Sequence, residues 1–198
     1  MTDADAQADR PEDTPEWDDE YIDALALRLQ FNYDLEKDRP VRGERFELYG
    51  HMEFHSQKHF LHPAISFAHQ EAHEHLFVRR QDRVTEADLD RLVELGHDLA
   101  DEWIDPHEEH YSTEFTFGLV VPSIPDDVRS RIAGLDERTL LKLGYNGHYE
   151  VNLLAVSPEK NELVANDAVD VETAFRTWEP IETEEPGLLD LIARRFQL

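Results

Sequence analysis

Residues 44–60, ERFELYGHMEFHSQKHF, alternate between apolar and polar side chains. Apolar side chains occupy the even positions Phe46, Leu48, Met52, Phe54 and Phe60. Polar side chains occupy the odd positions Arg45, Glu47, His51, Glu53, His55, Gln57 and His59. Because successive side chains of a strand point to opposite faces of its sheet, this pattern predicts one long β-strand with a single dry face.

A second alternation, less regular than the first, runs through residues 67–79. Its polar odd positions are His69, Glu71, His73 and His75, and its apolar even positions are Ala68, Ala72, Leu76 and Val78. An antiparallel hairpin that keeps the apolar faces together pairs Met52 with Leu76. The same register predicts the pairs Ser56–Ala72, Phe60–Ala68, Glu53–His75, His55–His73 and His59–His69.

Two helices are predicted to flank this hairpin. The sequence Thr-Pro-Glu at residues 14–16 predicts the first turn of a helix that runs to about Tyr33. Thr85 begins a variant of the capping box, and the apolar spacing that follows it predicts an amphipathic helix to about Trp103.

The second half of the chain is predicted to be richer in strands. The dipeptide Asn146-Gly147 favours a type I′ turn, which predicts a hairpin between residues 139–145 and 148–156. The other predicted elements are a strand at 111–121, a helical turn from Pro125, a short strand near 162–165 and a C-terminal helix from Pro186.

The order helix, hairpin, helix and then several strands predicts an α+β fold. We expect a single domain over residues 16–198, with a mostly antiparallel sheet, amphipathic helices packed on one face, and the other face wet. Residues 1–15 are rich in carboxylates and are predicted to form a flexible acidic tail.

The net charge of −26 indicates adaptation to salt. Self-repulsion on this scale is tolerated where the Debye length is short, roughly 3 Å near 1 M salt. Among the 19 basic residues the lysines are Lys37, Lys58, Lys142 and Lys160, and the others are arginine, whose weakly hydrated guanidinium pairs well with carboxylates. The composition therefore predicts a halophilic protein, in which acidity reflects the environment and not a specific task.

Several classes of function lack their usual sequence features. The chain has no cysteine, which excludes disulfides, thiolate metal sites and cysteine nucleophiles. The absence of a signal sequence and of a long apolar run predicts a cytoplasmic protein without a membrane partner. Nucleic-acid binding is disfavoured because there is no sustained basic stripe. The densest basic cluster, Arg79, Arg80 and Arg83, is expected to form ion pairs.

Histidines are concentrated in the predicted hairpin, where seven of the 11 lie between His51 and His75. Cross-strand neighbours have Cβ atoms about 4.5–5.5 Å apart, so imidazoles on one face can converge on one ion. The candidate ligands of a divalent metal such as Zn, Mn or Fe are His51, Glu53, His55, His73 and His75. No established metal motif supports this set, and hydrated or mutually hydrogen-bonded histidines on an open sheet face are the simpler interpretation.

Two hypotheses about function remain open. The leading one is a non-enzymatic binding or assembly module without a cofactor, in which the His- and Glu-rich sheet face meets a protein partner or a second copy of the chain and the strength of the interface varies with pH. The alternative is a metal-dependent hydrolase in which Glu53 is a ligand or the general base that acts on a metal-bound water.

Overall fold

The computed structural model describes residues 14–58 and 68–180, with side chains described for 14–54 and 70–180. Within these residues there are four α-helices and seven strands. The helices are α1 (Glu20–Leu29), α2 (Glu86–Trp103), α3 (Asp126–Ala133) and α4 (Glu172–Phe175). The strands are β1 (Asp34–Val41), β2 (Glu44–Lys58), β3 (Ala68–Arg80), β4 (His110–Val120), β5 (Arg138–Leu140), β6 (His148–Ser157) and β7 (Glu162–Ala165).

All seven strands belong to one sheet in the order β1-β2-β3-β4-β6-β5, and β7 also pairs with β6. The pairs β3–β4 and β4–β6 are parallel, whereas the other neighbours are antiparallel. The α+β class is therefore confirmed, but the sheet is mixed. The parallel pairs arise because α2 and α3 cross over the sheet and return the chain in the same strand direction.

Helices cover both faces of the sheet, so the prediction of helices on one face is wrong. On the first face, α2 and α3 pack against a core that includes Phe77, Phe115 and Phe117. On the second face, α1 and α4 pack against a core that includes Val78 and Val120. Since neighbouring residues such as Phe77 and Val78 are both fully buried, the inner strands are apolar on both sides, as parallel strands usually are.

The alternation in β2 is interrupted near its start. Phe46 lies in the first core and Leu48 in the second, although they are two residues apart. Tyr49, on the polar side of the predicted strand, is also buried in the first core. The predicted dry face therefore extends only from Leu48 through Met52, and the opposite face begins with an aromatic residue.

The β2–β3 hairpin is confirmed, but its register differs by two residues from the predicted one. Met52 pairs with Glu74 and not with Leu76, and Glu53 pairs with His73 and not with His75. His51 pairs with His75, and the other corrected pairs are His55–Glu71, Ser56–Gln70 and Gln57–His69. A shift of two residues leaves every side chain on its predicted face, so the alternation alone could not distinguish the two registers.

The helix starts were predicted with unequal success. The capping box at Thr85 is present, and α2 ends at Trp103 as expected. The first helix begins later than predicted, because the carboxylate of Asp19, and not Thr14, accepts hydrogen bonds from the first turn. It also ends at Leu29, and Asp34 then begins the edge strand β1, which the sequence did not predict.

The second hairpin has a longer loop than predicted. Arg138–Leu140 pairs with residues 148–150, but residues 141–147 form a loop with a left-handed turn at Lys142 and Leu143. The predictions for residues 111–121, for the turn after Pro125 and for residues 162–165 are confirmed as β4, α3 and β7.

Some predictions fall on residues that the structure does not describe: Phe60, most of the acidic tail, and the C-terminal helix from Pro186. Among the residues that it describes, no helix combines the length and the apolar character that crossing a membrane requires. Two members of the basic cluster form ion pairs as expected, since Arg79 pairs with Glu44 and Arg80 pairs with Asp19.

Candidate functional site

The predicted histidine site lies on the first face of the sheet, beyond the end of α2. His51 of β2 is opposite His75 of β3, and Glu53 is opposite His73. These two pairs continue the row that Tyr49 and Phe77 begin deeper in the core. The face that was predicted to be wet is therefore apolar at one end and becomes polar only toward the end of the hairpin.

His75 lies at the edge of the first core and packs against its aromatic side chains. Its ring stacks on Phe115 with centroids 5.2 Å apart and meets Trp103 edge-on at 5.1 Å. The Nδ1 atom is hydrogen-bonded to the Tyr49 hydroxyl at 2.8 Å. The pKa of His75 is lowered to about 3, mainly by burial and to a smaller extent by the nearby charges of His51, His73 and Arg39. His75 is thus a neutral packing residue and is not hydrated on an open face.

His51 and His73 form the accessible part of the cluster. The His51 ring stacks on His75 with centroids 4.8 Å apart and on His73 with centroids 5.8 Å apart. Both rings are half-buried, and Glu53 beside them is exposed. Burial is the main cause that lowers the pKa of His73, although the Glu53 carboxylate acts in the opposite direction. His51, Glu53 and His73 therefore present two stacked imidazoles and one carboxylate to solvent.

The described side chains do not form a recognisable metal centre. Among them, no three His, Asp or Glu groups are placed to hold a metal ion together. The His51 and His73 rings are within 6° of parallel, so they lie side by side instead of surrounding a common point. His55 is paired with Glu71 through the backbone, but its side chain lies outside the described part. The ligand set His51, Glu53, His55, His73 and His75 therefore stays a prediction.

His110 connects the start of β4 to the loop between β5 and β6. Its Nδ1 atom is 2.8 Å from the Asn146 carbonyl oxygen, and its Nε2 atom is 2.8 Å from the Thr113 hydroxyl. Burial lowers the pKa of His110, although the bond to Asn146 acts in the opposite direction. Nearby, His107 approaches the Glu71 carboxylate at 3.4 Å. His110 therefore anchors the loop, which is a structural role.

The loop of residues 141–147, called the β5–β6 loop below, presents apolar side chains to solvent. Leu143 is 90% exposed and Tyr145 is 85% exposed, and Leu140 just before the loop is 59% exposed. Three consecutive residues, Lys142, Leu143 and Gly144, have positive φ angles of 45°, 60° and 90°. Left-handed backbone costs a leucine or a lysine about 1–2 kcal/mol, so the rest of the structure must hold this conformation in place.

The base of the β5–β6 loop supplies that restraint. Asn146 is 6% exposed, and its amide nitrogen donates to the Leu141 carbonyl oxygen at 3.3 Å. The Leu141 amide donates in turn to the Gly147 carbonyl oxygen at 3.0 Å. Gly147 lies so close to β4 that an added Cβ would be 2.1 Å from the Tyr111 carbonyl oxygen. The loop is therefore fixed at its base while its apolar side chains remain in water.

The accessible histidines and the β5–β6 loop lie at the same end of the sheet. This end comprises the starts of β3, β4 and β6 and the last residues of β2, as the pairs Phe54–Ala72, Ala72–Ser112 and Ser112–His148 demonstrate. We call it the histidine end. Phe31 is 68% exposed and precedes Asp34, which pairs with His51, so it lies there too. All four exposed large hydrophobic side chains of the described residues are at the histidine end.

The histidine end also coincides with the two longest stretches of sequence that contain no carboxylate. These stretches are residues 54–70, which join β2 to β3, and residues 138–149, which include the β5–β6 loop. In a chain with 45 Asp and Glu residues, the β5–β6 loop therefore carries no carboxylate of its own, although Glu53, Glu71 and Glu109 lie at the same end of the sheet. Sequence reasoning missed these two stretches, although the positions of Asp and Glu in the sequence show them directly.

A shallow groove with a volume of about 480 Å³ lies beside β5 and has a different character. Its lining includes Asp136, Glu137, Glu150 and Asp167. At its floor the side chain of Asn166 donates to the side-chain oxygen of Asn152 at 2.9 Å. The groove is strongly acidic, so it is poorly suited to the approach of another acidic protein.

Comparison with known proteins identifies the family without naming an activity. No curated protein and no solved structure matches the chain. A family model described as a domain of unknown function (DUF8052) matches residues 18–177, which include all the described strands and helices. The chain therefore belongs to the DUF8052 family.

Proposed function

We propose that the protein is a non-enzymatic, salt-adapted cytoplasmic assembly module that binds a second copy of itself through the histidine end of the sheet. The observation that carries the proposal is that the exposed β5–β6 loop, which has no carboxylate, lies at the same end of the sheet as the accessible His51, Glu53 and His73. The interface would comprise this loop, the half-buried histidines and the exposed Phe31.

Electrostatics favour the β5–β6 loop as the point where two copies meet. Each chain carries a formal charge of −26, so two copies repel wherever their carboxylates face one another. At the histidine end, residues 138–149 contribute only Arg138 and Lys142 as charged groups at neutral pH. Salt screens the remaining repulsion and leaves short-range contacts to decide the geometry.

Apolar contacts would provide most of the affinity. Leu143 and Tyr145 are almost fully exposed, and their burial would remove a large apolar area from water at about 25 cal/mol per Å². The fixed base of the β5–β6 loop means that little conformational entropy is lost when the loop is buried. Tyrosine is also among the residues that most often carry binding energy at interfaces.

The two accessible histidines give the proposed interface a dependence on pH. Neutral imidazoles stack and can hydrogen-bond to Glu53 of the other copy, whereas protonated ones repel each other but attract that carboxylate. Within one chain, burial and in addition the stacked His51 ring lower the pKa of His73. A surface with both imidazoles and a carboxylate is self-complementary under a two-fold axis.

The metal-dependent hydrolase remains the alternative proposal, since His51, His73 and Glu53 are adjacent and accessible. Elemental analysis of untagged protein purified in high salt separates the two proposals. Stoichiometric Zn, Mn or Fe that disappears in His73→Ala would favour the hydrolase.

The assembly proposal predicts that Leu143→Asp weakens self-association. Placing a carboxylate in a buried apolar contact should raise the dissociation constant by at least about 30-fold, because a central interface side chain contributes about 2 kcal/mol or more. Sedimentation equilibrium in a buffer of high ionic strength measures this constant directly. The matched control is Lys160→Gln, which makes the same change in net charge in the turn between β6 and β7, at the opposite end of the sheet.

The expected result is an associated wild-type protein, an unchanged Lys160→Gln variant and a dissociated Leu143→Asp variant. A wild-type protein that is monomeric at every concentration would overturn the proposal. So would equal dissociation constants for the two variants.

A further inference from the structure

The groove beside β5 lies where two edge strands share β6 without meeting. β5 pairs with residues 148–150 of β6, and β7 pairs with residues 154–157. Asn152 lies in the gap between them and is part of the lining of the groove. One wall comprises residues 133–138, which lead into β5, and the other comprises residues 166–168, which follow β7. The volume of about 480 Å³ is in the range of small-molecule sites.

The floor of the groove contains a buried amide donor without an acceptor. Asn152 is 1% exposed, and its Nδ2 atom has no hydrogen-bond partner among the described residues. The Asn166 side-chain oxygen accepts from the Leu153 amide at 2.8 Å, so the Asn166 side-chain nitrogen donates to Asn152 Oδ1 at 2.9 Å. A flipped Asn152 would set two donors against each other, so this network fixes Nδ2 as the end without a partner.

The unpaired donor indicates what kind of molecule the groove accepts. Buried amide donors are almost always hydrogen-bonded, because an unpaired one lowers stability. A bare metal ion cannot satisfy Asn152 Nδ2, since an N–H donor does not coordinate a cation. A carbonyl or hydroxyl oxygen can. The molecule that fits the floor of the groove therefore carries such an oxygen.

Two carboxylates on opposite walls determine the charge of that molecule. Asp136 lies on the first wall and Asp167 on the second, and both residues are exposed. Among the described residues, neither carboxylate forms an ion pair, whereas Glu137 and Glu150 of the lining each have a basic side chain at 3.5 Å. One molecule with two positively charged groups can pair with Asp136 and Asp167 together.

We propose that the groove binds a small dication that also carries a carbonyl or hydroxyl oxygen, such as the amide of a basic amino acid. The guanidinium or ammonium groups of the ligand pair with Asp136 and Asp167, and its oxygen accepts a hydrogen bond from Asn152 Nδ2. No residue of the groove lining belongs to the β5–β6 loop, so this proposal and the self-association proposal can fail independently.

Argininamide and agmatine are a matched pair of probes for this site. At pH 6 both carry about two positive charges, but agmatine lacks the carboxamide whose oxygen would accept from Asn152. Isothermal titration calorimetry at one salt concentration should give a dissociation constant of about 1 mM or lower for argininamide. Agmatine should bind at least about fivefold more weakly, because it leaves the Asn152 donor unpaired.

A pair of exposed aspartates provides matched variants. Asp167→Asn should weaken the binding of argininamide at least about fivefold, because it removes one of the two charges but keeps the size of the side chain. Asp101→Asn makes the same change in charge at an exposed position of α2, which is not part of the groove. This control should change the affinity less than about twofold.

Three results would overturn the proposal. They are equal affinities for argininamide and agmatine, equal effects of Asp167→Asn and Asp101→Asn, and the absence of saturable binding at argininamide concentrations up to about 20 mM. Each of these results would leave the self-association proposal untouched.

Discussion

Replacement of Gly147 by alanine is expected to lower the free energy of unfolding by about 2–5 kcal/mol. Gly147 has a φ angle of +72°, and left-handed backbone costs an alanine about 1–2 kcal/mol. The added Cβ would also lie 2.1 Å from the Tyr111 carbonyl oxygen, which is part of the β-sheet and cannot move freely. Overpacking of this kind typically adds about 1–3 kcal/mol. Urea unfolding at constant salt concentration measures the sum.

Gly144→Ala is the control for this variant. Gly144 also has a positive φ angle, of +90°, but no atom lies within 4 Å of the position that an added Cβ would take. The Gly144→Ala substitution should therefore lower the free energy of unfolding only by the backbone contribution of about 1–2 kcal/mol. Equal losses for the two variants would contradict the close packing of the β5–β6 loop against β4.

The second large effect is acid destabilisation through His75. In the folded protein burial lowers the pKa of His75 to about 3, from an ordinary value of 6.5. As the pH falls below about 6.5, the unfolded chain binds a proton that the folded protein excludes, so stability decreases down to the folded pKa. The expected loss is about 1.4 kcal/mol for each pH unit between about pH 6 and pH 4. His73, whose pKa is also lowered, contributes in the same direction.

His75→Phe should remove this contribution while it preserves the stacking on Phe115. The free energy of unfolding of the variant should therefore fall less steeply with decreasing pH than that of the wild type. Tyr49→Phe is the matched control, because it removes the hydroxyl bonded to His75 but keeps the imidazole. It should be less stable than the wild type and keep the steep slope. Identical slopes for His75→Phe and the wild type would contradict the buried, neutral state of His75.

The sequence predicted the strands well, since alternation identifies a strand and the face of each residue. It could not fix the register of the β2–β3 hairpin, because pairing Met52 with Glu74 or with Leu76 puts the same side chains on the same faces. The edge strand β1 was missed because most of its residues are exposed and it has no apolar alternation. Pro40 and several charged residues in β1 disfavour pairing of this edge with another strand. The same residues replace the apolar alternation by which a strand is predicted from sequence.

The candidate site was predicted in part for a related reason. The odd positions from 51 to 75 do share one face, but His75 packs among aromatic side chains because α2 ends beside it at Trp103. No pattern within the hairpin indicates where a helix from elsewhere in the chain will end. The β5–β6 loop was misjudged because Asn146-Gly147 suggested a two-residue turn, whereas Asn146 is held in the interior by His110.

Hydrogen–deuterium exchange of the wild-type protein at a low and a high protein concentration, at constant high salt, tests the central claim most directly. If two copies meet at the histidine end, backbone amides of residues 141–147 exchange more slowly at the high concentration. Amides of residues 159–162, at the opposite end of the sheet, should exchange at the same rate at both concentrations. Exchange of the β5–β6 loop that does not depend on concentration would contradict the account.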